Sequence, residues 1–180
     1  MKRQKKMNNK GFSLTELIVV IAIMGVISVG GVITMGLIFS ASAKEASSKL
    51  NSALMKTRTE SMSKASASIE IYENGADSKY YIKYTVAGVA QDPILIGDSR
   101  VEISYVERVN GTDTEKDIFY ASESSKNSLN LSFERDTGAM TSIRTETGNI
   151  PVYCKEIRIV AGHKSYTITC ERLTGKTYVH

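Results

Sequence analysis

The chain has 180 residues, with 23 Lys or Arg against 19 Asp or Glu, a formal charge of +4, two cysteines, two prolines and no tryptophan. That length holds one membrane helix and one modest domain. The basic excess excludes a nucleic-acid surface as its cause: Lys2, Arg3, Lys5, Lys6 and Lys10 hold five of the 23 basic residues with no acid among them, and without them the formal charge is −1.

Residues 1–11 read as a leader outside the fold. From Leu17 to Ala43 no side chain is charged; as a helix this run spans about 40 Å, more than the roughly 30 Å hydrocarbon core. The basic leader before it predicts a cytoplasmic N-terminus and an external C-terminal part. One carboxylate, Glu16, stands at the mouth of the run, where a charge is costly and is by default a functional-site candidate. Gly25, Gly30, Gly31 and Gly36 permit close helix approach, and Gly30-Gly31 is the weakest local point for a bend.

The stretch Gly11-Phe12-Ser13-Leu14-Thr15-Glu16-Leu17 resembles the class III signal of type IV pilins and pseudopilins. The resemblance implies cleavage after Gly11 by a prepilin peptidase, N-methylation of Phe12, and a role for Glu16 in filament assembly. In a bundle of such helices Glu16 of one subunit would pair with the Phe12 amine of a neighbour and set axial register. The implied partners are the peptidase, sibling pilin subunits, membrane lipid, an inner-membrane assembly platform and an assembly ATPase. The implied location is a single-pass membrane anchor with an external domain, then an extracellular filament. Two plainer readings compete: a secretory signal peptide cut at Ala41-Ser42-Ala43, and an ordinary single-span anchor. Both leave Glu16 unexplained.

Beyond residues 12–43, the assembly helix, the sequence predicts that the helix continues over 44–67. Ala46, Leu50, Ala53, Leu54, Thr57, Ser61 and Ala65 recur at three- and four-residue steps, and no glycine or proline falls between Leu37 and Asn74. Residues 68–180 read as an external antiparallel β domain, so the fold class is α+β. Its expected strands are 68–73, 79–86, 101–109, 117–121, 129–133, 140–144, 152–160, 166–171 and 176–179. Residues 110–117 read as a solvated acidic loop, a weak calcium candidate. The β part also resembles the H-type minor pseudopilins, through Leu131-Ser132-Phe133 with Gly138, Ile157-Arg158-Ile159, Tyr166-Thr167-Ile168 and Thr174-Gly175-Lys176.

The two cysteines, Cys154 and Cys170, fall in the external part, where disulfides are permitted. A three-residue loop at 161–163 would set Val160 opposite Lys164 and Cys154 opposite Cys170, a possible bridge. No catalytic constellation, metal site or cofactor motif is expected. His163 and His180 read as surface residues. Tyr80, Tyr81 and Tyr84 with Lys79 and Lys83 resemble a stacking platform for single-stranded DNA, but alternation splits them between two faces. The reading is a non-enzymatic filament subunit. Its alternatives are a competence or secretion pseudopilin moving DNA or protein, and an anchored or secreted binding domain that does not polymerise.

Overall fold

The computed structural model describes residues 13–63, 66–122 and 124–180, with backbone alone for 29–37. The leader and the Gly11-Phe12 processing site lie outside the described residues. One long helix, α1 (Leu14–Ser63), leads into thirteen strands: β1 (Ala67–Asn74), β2 (Lys79–Val86), β3 (Val89–Ala90), β4 (Ile94–Gly97), β5 (Glu102–Val109), β6 (Thr112–Asp117), β7 (Phe119–Ser122), β8 (Ser125–Asn127), β9 (Leu129–Ser132), β10 (Arg144–Glu146), β11 (Ile150–Ala161), β12 (Lys164–Cys170) and β13 (Thr177–Val179). The class is α+β, a long N-terminal helix packed on antiparallel sheets. By contacts the chain divides into two compact units, Met1–Leu37 and Ile38–His180.

In the second unit, α1 buries Ala43, Ala46, Ser47, Leu50, Ala53, Leu54, Thr57 and Ser61. These are the three- and four-residue steps of the sequence, extended by Ala43 and Ser47. Alanines let the sheets approach closely, and the buried hydroxyls are satisfied: Thr57 Oγ1 donates to the Ala53 carbonyl at 2.9 Å and Ser61 Oγ to the Ala67 carbonyl at 3.1 Å. The second of these bonds ties the helix end to the first strand. The described helix runs to Ser63, Ala65 lies outside the described residues, and by Ala67 the chain is in β1, paired with Val86 of β2, so the helix does not reach the expected residue 67.

Two sheets close over this helix face. One runs β3-β2-β1-β9, with β4 also on β2; the other runs β13-β12-β11-β5-β6, with β10 on β11. Ile69, Ile71 and Ile82 of the first join Ile103, Ile157, Ile159 and Ile168 of the second in one core with Leu50 and Leu54. The 68–73/79–86 hairpin, the 101–109 strand and the 129–133 strand lie within a residue or so of expectation. The acidic stretch 110–117 does not form a loop. Asn110 (φ 48°) and Gly111 (φ 84°) make a two-residue turn, and β6 pairs with β5 along its whole length. The expected 140–144 strand is reduced to a bridge between Phe133 and Met140, and β10 begins at Arg144.

The β11–β12 hairpin also differs from expectation. Its loop has two residues, Gly162-His163, so Ala161 faces Lys164 and Val160 faces Ser165. That register alone would offset Cys154 from Cys170. A bulge in β11 between Cys154 and Glu156 restores the phase, placing Cys154 on the core side with Ile157.

Candidate functional site

The start of α1 is built from four residues. Ser13 precedes the first helical residue, and its carbonyl accepts the first helical hydrogen bond from Leu17 N at 3.2 Å. Its hydroxyl accepts from Thr15 N at 3.3 Å, while Glu16 Oε2 accepts from Ser13 N at 2.9 Å. This is a reciprocal helix cap: the acid three residues into the helix reaches back to the amide of the capping serine. Glu16 therefore has a partner within its own chain, a role the sequence reading missed. The Ser-x-x-Glu spacing was the signal that would have found it.

Past the cap, the described apolar residues from Leu14 to Ile27 are 46–76% exposed. A helix apolar around its circumference and bare of partners must be covered by lipid or by other helices. Among the described residues, no helix is long and apolar enough to cross a membrane. Within the apolar run, side chains are described for 17–28 and 38–43, and 29–37, with Gly30-Gly31 and Gly36, are described as helical backbone only.

Residues 6–39 match the family model of the prokaryotic N-terminal methylation motif. The chain carries a class III prepilin signal. This signal marks type IV pilin-like and pseudopilin precursors, points to a structural subunit, and implies processing by prepilin peptidase and assembly with other pilin subunits. The prepilin match covers residues 6–39 and does not reach the β-rich part. No curated protein and no solved structure matches the chain.

Elsewhere the geometry sorts the remaining candidates. Cys154 and Cys170 are buried free thiols, and the adjacent Cys170 side chain, followed by burial, pushes the Cys154 thiol well above its ordinary value. Tyr80 and Tyr84 are buried in the core; the Tyr80 hydroxyl donates to the Ile118 carbonyl at 3.2 Å. Tyr81 stacks on Tyr72 with centroids 6.0 Å apart and donates to Asp77 at 2.7 Å, so the three rings form no common platform. His163 is exposed at a hairpin tip and His180 at the chain end. Among the described residues, no cluster of three His, Cys, Asp or Glu side chains is placed to hold a metal.

Two polar clasps were not foreseen. Glu107, 3% exposed, faces Cys154 across β5 and β11 and is held by Arg144 of β10, with bonds of 2.7 and 3.3 Å. Both line an open cleft of about 520 Å³ with Tyr105, Asn127 and Asn130. Arg58 of α1 donates through Nε to the carbonyls of Thr174 at 2.8 Å and Gly138 at 3.2 Å, tying the helix to two loops.

Proposed function

We propose that the chain is a minor pilin or pseudopilin of a type IV pilus-like filament. It is cut after Gly11, methylated at Phe12, anchored through the apolar first part of α1 and assembled through that helix. An assembly platform and ATPase drive its passage from the membrane into the filament. The observation that carries this reading is Glu16: an acid inside the prepilin signal, at the head of an exposed apolar helix and bonded to its own cap. Ser13 N remains in the chain after a cut at Gly11, so the cap survives processing. The Glu16 carboxylate has further lone pairs free for a neighbour's amine, and buried charges in lipid favour such pairing. The competing signal-peptidase site argues the other way: Ala43 is fully buried in the second unit, and a cut there would sever α1 inside the core.

The exported domain meets an oxidising exterior, and on this reading Cys154 and Cys170 become joined there.

Sequencing the mature N-terminus tests the processing. Phe12 supports it, while Met1 or Lys44 overturns it. A Glu16 series tests the assembly. Glu16→Gln keeps the cap geometry but loses the charge; Glu16→Ala loses both, the cap being worth about 1 kcal/mol. Both variants are expected to insert in the membrane and fail to enter filaments. Normal incorporation of Glu16→Gln would remove the charge from the mechanism.

A further inference from the structure

The β11–β12 hairpin points its tip at the end of α1 where the apolar run stops. A Cβ built on Gly162 would sit 3.3 Å from the Phe39 ring, so the tip lies directly on that side chain. Gly162 (φ 59°) makes this approach in a conformation that favours glycine. Phe39 stands about 7.5 Å along the helix before Lys44, the first charge after the run. The loop before β5 comes to the same end of the domain, where Gly97, Asp98 and Arg100 share a small cleft with Ser42, Glu45 and Lys49 of α1.

The charges at this end are uneven. Glu45 is paired with Lys49 at 2.7 Å, and Asp98 with Arg100. Glu102, opposite Val160, lies one step up the outer face of β5. Lys44 and Lys164 are exposed, neither takes part in these pairs or in another ion pair among the described residues, and His163 is exposed between Gly162 and Lys164. The opposite end of the same sheet is the Asn110-Gly111 turn. Seven residues of β5 separate it from this one, about 23 Å of strand.

We propose that the Gly162-His163-Lys164 tip, with Lys44, rests on the headgroups of the membrane that anchors the subunit and takes anionic phospholipid there. This rests on the anchoring reading above and adds a second, reversible contact to it. A lysine near an anionic surface is attracted over about a Debye length, and a tip seated on Phe39 falls within that range of the headgroups. The contact would fix how the domain stands on the bilayer before the helix is withdrawn into a filament.

The chain has no tryptophan, so one introduced indole is a clean reporter. The full chain is reconstituted as the His163→Trp variant and, separately, as Thr112→Trp at the far end, in vesicles carrying a headgroup-quencher lipid. The His163→Trp variant is expected to lose most of its emission and the Thr112→Trp variant little. Replacing phosphatidylglycerol by phosphatidylcholine, or adding Lys44→Gln with Lys164→Gln, should reduce the quenching at the tip at least twofold. Equal quenching of the two reporters in chains that float with the vesicles overturns this contact alone. Quenching indifferent to lipid charge and to the lysines overturns the anionic ligand. A chain that does not float overturns the anchoring reading and this contact with it.

Discussion

Replacing Arg144 by alanine isolates the Glu107 clasp. Glu107 is 3% exposed and Arg144 holds both of its carboxylate oxygens, while Arg144 itself is 45% exposed and also reaches Glu146 at 2.9 Å. Removing one member of such a pair leaves a buried charge uncompensated, a cost of about 3–5 kcal/mol. The open cleft beside Glu107 admits solvent, which places the expectation at the lower end, about 3 kcal/mol. With a urea slope of about 1.5 kcal/mol/M, the unfolding midpoint falls by about 2 M. Near-UV circular dichroism of the buried Tyr80, Tyr84 and Tyr105 reports it, since the 50-residue α1 dominates the far-UV signal. Glu107→Gln in the Arg144→Ala background removes the stranded charge and should return most of the loss, giving a large coupling energy in the double-mutant cycle. An Arg144→Ala midpoint within experimental error of the parent, or a double variant no better than the single, would refute the reasoning.

Three further outcomes follow from the same geometry. A Cβ at Gly175 (φ 62°) would lie 1.9 Å from the Gly138 carbonyl, whereas one at Gly138 meets the flexible end of Met62; Gly175→Ala should cost more than about 2 kcal/mol and more than Gly138→Ala in thermal melts. Hydrogen bonds from Arg108 and then Lys155 hold the exposed Asp113 carboxyl well below its ordinary range. Its stabilisation is therefore present above the unfolded value of about 3.9 and is lost as pH falls through the lower folded value. Asp113→Asn should be slightly less stable than the parent at neutral pH and indistinguishable in strong acid. Treatment of the exported chain with a thiol-alkylating reagent under denaturing conditions should leave Cys154 and Cys170 unmodified until reductant is added; immediate modification of both would show that no bridge forms. Closing a loop of this size is worth about 3 kcal/mol in the chain-entropy picture.

What the sequence showed clearly was periodicity. The buried face of α1 followed the predicted steps, and the β1–β2 hairpin followed its turn residues. The strand at 101–109 alternates as expected, but that its Glu107 lies buried beside Ile103 and Tyr105 was not foreseen. Its partner was not legible, because Arg144 arrives from 37 residues away on a strand of three. β6 was misread because its residues carry no apolar face; every one is exposed, and pairing with β5 alone makes it a strand. The charges there suit a sheet edge, since they discourage pairing with another chain. β3 was missed because its turn is Ala87-Gly88, with Ala87 at φ 52°, a residue that turn rules do not favour at positive φ. The bulge after Cys154 has no sequence signature, and without it the cysteine register could only be guessed.

The helix cap changes what Glu16 must do on the filament reading. An acid that waited unpartnered in lipid would have to be neutralised or compensated by some group before assembly. Glu16 instead holds the Ser13 amide at the start of the helix, so the carboxylate already has a partner in the waiting subunit. Docking then needs only the difference between this cap and the cap plus a neighbouring cation. That difference is reversible for a single subunit and becomes cooperative when each helix is covered on several sides. Weakening the cap without touching the charge, as in Ser13→Ala, should therefore lower the amount of subunit retained in the membrane more than the length of filaments that do form. Pulse-labelled membrane fractions compared with sheared filament lengths separate the two. Short filaments with a normal membrane pool would mean that the cap acts in the polymer and not in the waiting subunit.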